Sequence, residues 1–336
     1  MRPAEPILQI NNLQTSFFME GGEVKAVDGV TLSVPKGDTV GVVGESGCGK
    51  SVMALSILRL IEHPGKIIGG EIILNGENLL KKSKNEMRDL RGNKISMVFQ
   101  EPMTSLNPVY TIGEQISEAY RGHQKISRKK AHAKSLEMLK LVGIASPEKR
   151  MHQYPYELSG GMRQRVMIAM ALACVPDLLI ADEPTTALDV TIQAQILELI
   201  KELQQKLGMS VLIITHDLGI IAETCSNVAV MYCGSIVEYA DVQALFDHPK
   251  HPYTVGLFKS LPRHDVDKEE LEAIEGSVPS PAEMPEGCRF APRCLYADRI
   301  CLERYPDLKP LENGRLVRCW IYSDDWKGSK EVAHYG

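Results

Sequence analysis

Hydrophobic positions follow two different spacings in this chain, and the spacing changes along the sequence. Up to about Val98, short runs of strand-forming residues alternate with turns. These runs are Ile7–Ile10, Gly29–Val34, Thr39–Val43, Glu71–Leu74 and Ile95–Phe99. From about Gln100 to Pro155 the pattern is helical, most clearly over Arg128–Leu141, where apolar residues recur at near-helical spacing among Lys and His. The first zone therefore predicts strands, and the second predicts helices.

Strands and helices alternate again beyond the helical zone, as far as about Ala240. The runs Leu178–Ala181 and Ser210–Ile214 are continuously apolar, which is typical of parallel strands covered on both faces. Between them, Val190–Leu207 carries one apolar stripe, and Gly208 follows at the position of a C-cap glycine. This order of strand, helix and strand predicts a right-handed crossover unit of a parallel sheet.

The zones predict an α/β fold with three units. The core comprises residues 1–99 and 166–245, with an antiparallel β part at the N-terminus and a mainly parallel sheet. A helical subdomain is inserted over residues 100–165. Residues 246–336 are predicted to form a small irregular domain, because its composition shifts toward proline at Pro279, Pro281, Pro285 and Pro292.

Composition excludes several functional classes. A formal net charge of −5 over 336 residues provides no basic stripe, so we expect no nucleic acid partner. No secretory signal is evident at the N-terminus. The longest apolar run, Val166–Pro176, is far below the ~20 residues of a spanning helix. We therefore expect a soluble chain that acts at a membrane only through partners.

A phosphate-binding loop is the first motif that carries chemistry. Gly44–Ser51 reads GESGCGKS, which fits the P-loop pattern, and it lies between a predicted strand and a predicted helix, Val52–Leu60. The glycines let the backbone curl around phosphate oxygens, and the helix start offers free amides. Lys50 is predicted to neutralise β- and γ-phosphate charge, and Ser51 to coordinate Mg²⁺. The predicted nucleotide contacts are Gly44, Ser46, Gly47, Cys48, Gly49, Lys50, Ser51 and Val52.

Two adjacent carboxylates supply the second half of this site. Asp182 ends the apolar run Leu178–Ala181, and ligands of α/β sheets bind at the carboxyl ends of strands. Asp182 is predicted to hold Mg²⁺, usually through water. Glu183 is predicted to act as a general base or to orient the attacking water.

A second anion-binding helix start lies roughly 110 residues farther along the chain. Ser159 and the glycines after it precede a predicted helix, Arg163–Ala173, and again present amides and a hydroxyl. One nucleotide does not need two such sites. We infer that the second one grips the γ-phosphate of an ATP held by another subunit. Its predicted residues are Leu158, Ser159, Gly160, Gly161 and Met162.

These motifs resemble the ATP-binding-cassette family of P-loop NTPases, over about Ile7 to Ala240. The resemblance implies that the Ser-Gly-Gly stretch is the signature loop of a head-to-tail ATPase dimer, although Met162 stands where the commonest form has Gln. It also implies roles for four single residues. Gln100 corresponds to the Q-loop residue near Mg²⁺ and the attacking water, Asp189 to the D-loop acid, His216 to the switch histidine, and Phe17, or alternatively Phe18, to the adenine-stacking aromatic. Glu183, His216 and Gln100 form the implied catalytic group.

Three further stretches resemble the ATPase subunits of dipeptide and oligopeptide importers and of their nickel-uptake relatives. They are Gln100–Pro108, His251–Thr254 and the C-terminal cysteines. The resemblance implies a related but non-identical second ATPase subunit, two membrane permeases, an extracytoplasmic solute-binding protein and a peripheral position at the cytoplasmic face of the membrane. The alternatives are a soluble cassette that acts on ribosomes or nucleic acid, and a regulatory module without turnover.

Four of the eight cysteines crowd the C-terminal segment with the spacing C-x₅-C-x₆-C-x₁₇-C; they are Cys288, Cys294, Cys301 and Cys319. The resemblance implies a [4Fe–4S] cluster, with Zn²⁺ or no metal as alternatives. Four thiolates would leave negative charge, and the nearby Arg289, Arg293, Arg299 and Arg318 are predicted to offset it. Phe290 and Trp320 are predicted to shield the site from water.

Overall fold

A computed structural model of the chain describes residues 5–100, 105–185, 188–260, 274–280 and 283–328. Within these ranges there are twelve strands and eleven α-helices. The strands β1 to β12 are Pro6–Met19, Gly22–Pro35, Thr39–Val43, Gly65–Leu74, Glu77–Asn78, Ile95–Val98, Leu178–Asp182, Ser210–Thr215, Asn227–Tyr232, Ser235–Asp241, Lys309–Pro310 and Leu316–Val317. The helices α1 to α11 are Lys50–Ile57, Lys84–Leu90, Ile112–Gln124, Arg128–Leu141, Pro147–Arg150, Gly160–Leu172, Val190–Leu207, Leu218–Thr224, Val242–Asp247, Pro252–Lys259 and Arg299–Glu303.

An antiparallel sheet with the order β2-β1-β4-β5 covers one side of the core. Its strands β1 and β2 extend well beyond the short runs predicted from the sequence. The predicted run in β1 was too short because Asn11 and Asn12 interrupt the hydrophobic alternation at a register shift, although the strand continues past them. Side chains from this sheet, including Leu8 and Ile10, pack with Met53 of α1 and Val40 of β3 in one buried cluster. The antiparallel part thus holds β3 and α1, which flank the phosphate loop.

The main sheet has the order β11-β12-β10-β9-β3-β8-β7-β6. Strands β9, β3, β8, β7 and β6 run parallel to one another, whereas β10 is antiparallel to β9. Every residue of β7 and β8 is buried. The prediction that these two apolar runs are parallel neighbours is confirmed. Because their carboxyl ends share one edge of the sheet, Asp182 and His216 lie on the same side as the loop after β3.

Helices α3 to α6 form the inserted helical part. The predicted bounds of α4 and α7 are confirmed because their caps are local: Ser127 and Asp189 accept a backbone N–H at each start, and Gly208 ends α7 in the left-handed conformation. The helix predicted to start at Arg163 begins at Gly160, since Ser159 caps it. This helix crosses the predicted domain boundary at residue 165, and the division into three units stays a prediction.

The C-terminal part adds strands to the main sheet. Strand β12 pairs with β10, and the buried Arg315 guanidinium donates to the Glu238 carboxylate of β10. The other Glu238 oxygen accepts the His251 N–H at 2.8 Å, just before α10. Within the ranges described, no helix is both long and apolar enough to cross a bilayer.

Candidate functional site

The loop between β3 and α1 is shaped by glycines that have no room for a side chain. Gly49 lies at φ +100°, and a Cβ there would be 2.2 Å from the Ala26 carbonyl oxygen. A Cβ on Gly44 would lie 2.2 Å from the Met231 carbonyl oxygen. The backbone therefore curls tightly in front of α1, as the pattern of glycines predicted.

Lys50 is almost fully buried and lies over the loop. Its Nζ donates to the carbonyl oxygens of Gly44 at 2.7 Å and Glu45 at 3.0 Å. Helix α1 begins at Lys50, so unpaired amides of its first turn and the ammonium group face the same loop. This arrangement suits a bound phosphate group.

Asp182 lies at the end of β7 and hydrogen-bonds with Ser51. Its Oδ1 is buried and has no hydrogen-bond partner among the described residues. Burial raises the pKa of this carboxyl group, and the Ser51 hydrogen bond opposes that shift. A buried oxygen without a partner beside a hydroxyl fits a divalent cation that prefers oxygen ligands. The residues present therefore fit Mg²⁺.

Glu183 is held between two polar side chains. Its Oε2 accepts from Gln100 Nε2 at 2.9 Å, and its Oε1 lies 3.2 Å from His216 Nδ1. The backbone of Glu183 is left-handed, at φ +46°, and its N–H donates to the Ile214 carbonyl. A non-glycine residue in this conformation is uncommon and points to a constraint on where its side chain is aimed. The structure thus brings Gln100, Glu183 and His216 together.

One cavity connects the phosphate loop with Gln100 and Glu183, and Asp182 and His216 are not among its described lining residues. Its described lining includes loop residues 46, 47 and 49–52, Gln100 and Glu183, together with Val24, Lys25, Ala26, Cys233 and Gly234. Phe17 is not among the described lining residues, although its cross-strand partner Val24 is. The cavity also has a wall that sequence reasoning missed, formed by Val278, Pro279, Ser280 and Met284. No motif marks this wall, because it comes from the irregular C-terminal part.

The Ser159 loop lies away from this cavity, beside the start of α7. Ser159 Oγ accepts the Met162 N–H at 3.4 Å, and a Cβ on Gly161 would lie 2.8 Å from Ile192 Cγ2. Asp189 caps α7 by accepting the Ile192 N–H at 3.0 Å. The structure therefore packs the start of α6 against the start of α7 through Gly161 and Ile192, and neither Ser159 nor Asp189 is among the described residues that line the first cavity. Of the stretch Gln100–Pro108, residues 101–104 lie outside the described residues.

The four C-terminal cysteines line one small apolar cavity with Phe290, Trp320 and Trp326. Burial raises the pKa of Cys288 and of Cys294 to about 11, and backbone hydrogen bonds at Phe290 and Tyr296 act in the opposite direction. Four thiols are chemically suited to iron or zinc. As they stand, however, no three His, Cys, Asp or Glu side chains in the described part of the chain form a group that could hold a metal ion.

The charge of Arg289 lowers the pKa of the Cys288 thiol, as expected of an arginine that offsets thiolate charge, but the nearby arginines also have other partners. Arg289 pairs with Asp28, Arg293 pairs with Glu45, and Arg299 pairs with Glu303. Arg318 donates to the carbonyl oxygens of Ile236 and Pro306. Sequence proximity alone does not show these partners: Arg299 pairs within its own helix α11, whereas Arg289, Arg293 and Arg318 reach acids or carbonyl oxygens of other segments.

Comparison with known proteins identifies two family regions. Residues 27–186 match the ABC transporter model, and residues 237–301 match the C-terminal region of oligopeptide/dipeptide transporters. A probable peptide ABC transporter ATP-binding protein of Sinorhizobium fredii is 54% identical over 94% of this chain and 95% of its own length. The oligopeptide transport ATP-binding protein AppD of Bacillus subtilis is 53% identical over 95% of this chain and 98% of its own. The dipeptide transport ATP-binding protein DppD of Escherichia coli is 48% identical over the same shares.

Solved structures agree with the fold. The dimeric post-hydrolysis structure of the ATP-binding cassette MJ0796, bound to ADP and phosphate, has a TM-score of 0.63 and 28% identity, and the match covers 70% of this chain and 98% of that one. The cassette cbiO1 from Clostridium perfringens has a TM-score of 0.61 and 26% identity, over 72% and 91% of the two chains. The predicted fold class is confirmed.

Proposed function

This chain belongs to the ABC transporter family as an ATPase subunit, and we propose that it powers the import of dipeptides or oligopeptides across a membrane. The relatives named for peptide transport cover almost the whole chain, including the C-terminal part that distinguishes them from a bare cassette. The observation that carries the catalytic part of the proposal is the position of Glu183 between Gln100 and His216, beside the phosphate loop.

The proposed roles of these residues follow from their chemistry. The loop residues already named, with Lys50, bind the phosphates, and Ser51, Asp182 and Gln100 hold Mg²⁺. When bound, Mg²⁺ supplies positive charge to the phosphate oxygens. Glu183 orients the attacking water and accepts its proton, and His216 and Gln100 fix the Glu183 carboxylate. Phe17 is proposed to contact the base, at the end of the cavity lined by its partner Val24.

A dimer completes the proposed site. Leu158, Ser159, Gly160, Gly161 and Met162 are proposed to contact the ATP of a second ATPase subunit, with Asp189 beside them at the interface. Support comes from the exposure of the Ser159 helix start away from its own nucleotide cavity. Membrane permeases are the proposed partners. We propose further that the second ATPase is a related, non-identical chain, that a solute-binding protein delivers the peptide and that the subunit docks on the cytoplasmic face.

We also propose that the cysteine cavity holds a [4Fe–4S] cluster with a stabilising role, with Cys288, Cys294, Cys301 and Cys319 as ligands. What supports this is the shared apolar cavity and the backbone hydrogen bonds directed at the thiols, both of which suit cluster thiolates. Anaerobic purification followed by iron and labile-sulfide assays tests the proposal. Colourless protein with stoichiometric zinc would replace it with a zinc site.

Uptake measured in the source cells tests the transport function. The chromosomal gene is replaced by the Lys50→Ala variant, and accumulation of a labelled dipeptide, a labelled pentapeptide and radioactive nickel is followed. We expect peptide uptake to fall to background, because Lys50 is needed for phosphate binding. The matched control is Lys201→Ala, an exposed lysine on α7, which should leave uptake unchanged. Loss of nickel uptake with normal peptide uptake would reassign the cargo.

A further inference from the structure

A partly buried ion pair joins the C-terminal part to the phosphate loop. Arg293 Nη1 lies 2.8 Å from Glu45 Oε2, and Arg293 Nη2 lies 3.1 Å from Glu45 Oε1. The Arg293 side chain is only 4% exposed. Two parallel N–H···O bonds between a guanidinium and a carboxylate fix geometry as well as charge. Glu45 is the loop residue directly after Gly44.

The other polar groups of Glu45 are also engaged. Its backbone N–H donates to the Tyr253 hydroxyl at 2.9 Å, and its carbonyl oxygen accepts from Lys50 Nζ at 3.0 Å. Glu45 therefore has no amide to offer a phosphate. The position of Glu45 instead determines where its own carbonyl oxygen lies. That oxygen is one of the two that accept a hydrogen bond from Lys50 Nζ.

Arg293 and Tyr253 are themselves held firmly. Arg293 Nε donates to the Glu275 carbonyl at 3.1 Å, and its guanidinium lies 5.9 Å from the Tyr232 ring centroid. Tyr253 is fully buried, and its ring packs 4.5 Å from that of Tyr232. Arg293 ends the 3₁₀ turn Ala291–Arg293, one residue before Cys294. The same turn thus borders the cysteine cavity and contacts the phosphate loop through the Arg293–Glu45 ion pair.

We propose that Arg293 is a positioning residue for ATP binding: its two-point ion pair with Glu45, together with the Tyr253 hydrogen bond, fixes the first turn of the phosphate loop and makes ATP affinity depend on the folded C-terminal part. The proposal rests on the proposed ATP site. Arg293 is not among the described residues that line the proposed nucleotide cavity, and it acts through Glu45 and Lys50. Preorganising a binding loop lowers the cost of ordering it when the ligand arrives.

The test measures binding and turnover separately in the full-length protein. Equilibrium titration with a fluorescent ATP analogue gives Kd, and steady-state hydrolysis gives KM and kcat. For Arg293→Gln we expect Kd and KM to rise about tenfold while kcat stays within about twofold, because the reacting groups are untouched. Glu45→Gln should have a similar effect, and the double variant should be little worse than either single one, because the two residues act as one contact.

Two controls separate this effect from general damage. Arg299→Gln removes an exposed arginine paired with Glu303 in the same C-terminal part and should bind ATP like the parent protein. If Arg293→Gln does not fold, Glu45→Gln and Arg293→Lys are measured in its place. Arg293→Lys keeps the positive charge but cannot form both hydrogen bonds to the Glu45 carboxylate. Folded variants that bind ATP within twofold of the parent would overturn the proposal. Equal binding by the parent and Lys50→Ala would instead overturn the ATP site itself.

Discussion

The phosphate loop and the four-cysteine cavity are adjacent to the same C-terminal turn, yet their functional groups are prepared in opposite ways. In the phosphate loop, Lys50 Nζ donates to two backbone carbonyl oxygens, and the first turn of α1 faces the loop. In the cysteine cavity, aromatic side chains surround thiols whose pKa burial has raised, to about 11 for Cys288 and Cys294.

This difference shows which ligand each region can accept without rearrangement. The phosphate loop receives an anion as it stands, because its positive groups are ready before binding. The cysteine cavity would accept the proposed cluster only if its thiols lost protons and moved together, since ligand binding and deprotonation are coupled. Of the arginines between the two regions, Arg293 pairs with Glu45 of the phosphate loop, whereas Arg289 pairs with Asp28 of β2 and lowers the pKa of Cys288 in the cysteine cavity.

Among the variants that would sharpen this comparison, the largest effect on ATP turnover is expected when Glu183 loses its carboxylate. Glu183→Gln removes the proposed proton acceptor but keeps the shape of a side chain held by Gln100 and His216. We expect turnover to fall roughly 10²–10³-fold, the cost of losing one preorganised group in other enzymes. ATP affinity should stay within about twofold, because the phosphate loop is unchanged. Phosphate release measured with a competent partner subunit gives the first value, and ATP titration gives the second.

The matched control for this variant is Glu202→Gln, an exposed carboxylate on α7. It should leave both phosphate release and ATP affinity unchanged. If Glu183→Gln released phosphate at nearly the parental rate, Glu183 would not be the general base. The comparison of the two regions would then have to rest on other residues.

The phosphate loop could be predicted from the sequence because its determinants are local. Glycine spacing, a flanking strand and a flanking helix all lie within a short stretch, and the helix caps Ser127, Asp189 and Gly208 fixed element bounds for the same reason. The partners of Arg289 and Arg293 could not be predicted. Asp28 and Glu45 lie 261 and 248 residues earlier in the chain, and only the tertiary fold brings them to the C-terminal turn.

A second variant tests whether the phosphate loop depends on its backbone shape. In Gly49→Ala, the new Cβ would overlap the Ala26 carbonyl oxygen at 2.2 Å and would also occupy a backbone conformation at φ +100°. Strain of this kind costs of order 1–3 kcal/mol, so we expect ATP affinity to fall roughly 5- to 150-fold. Kd from titration with the fluorescent ATP analogue checks this.

Substitutions at two other glycines separate the effect of steric overlap from the effect of backbone strain. Gly37 and Gly47 also have positive φ, but no atom of the described residues lies within 4 Å of the position that a Cβ would take there. Gly37→Ala lies outside the loop and should leave Kd unchanged, whereas Gly47→Ala should weaken binding less than Gly49→Ala. Equal effects at Gly47 and Gly49 would show that the Ala26 contact does not matter.

The smallest expected effect concerns the cysteine cavity in protein freed of metal by a chelator. Cys301→Ala deletes a buried sulfur that packs with Trp320 and Ile321. Removing one such group costs roughly 1 kcal/mol in the free energy of unfolding, measured by urea denaturation. ATP affinity should stay within twofold, because the Arg293–Glu45 pair is intact. Cys174→Ala, at a half-buried cysteine outside this cavity, should cost less. A loss above about 3 kcal/mol at Cys301 in this metal-free protein would contradict simple packing, whereas a clearly larger loss in untreated protein than in chelated protein would indicate that a bound metal or cluster holds the cavity together.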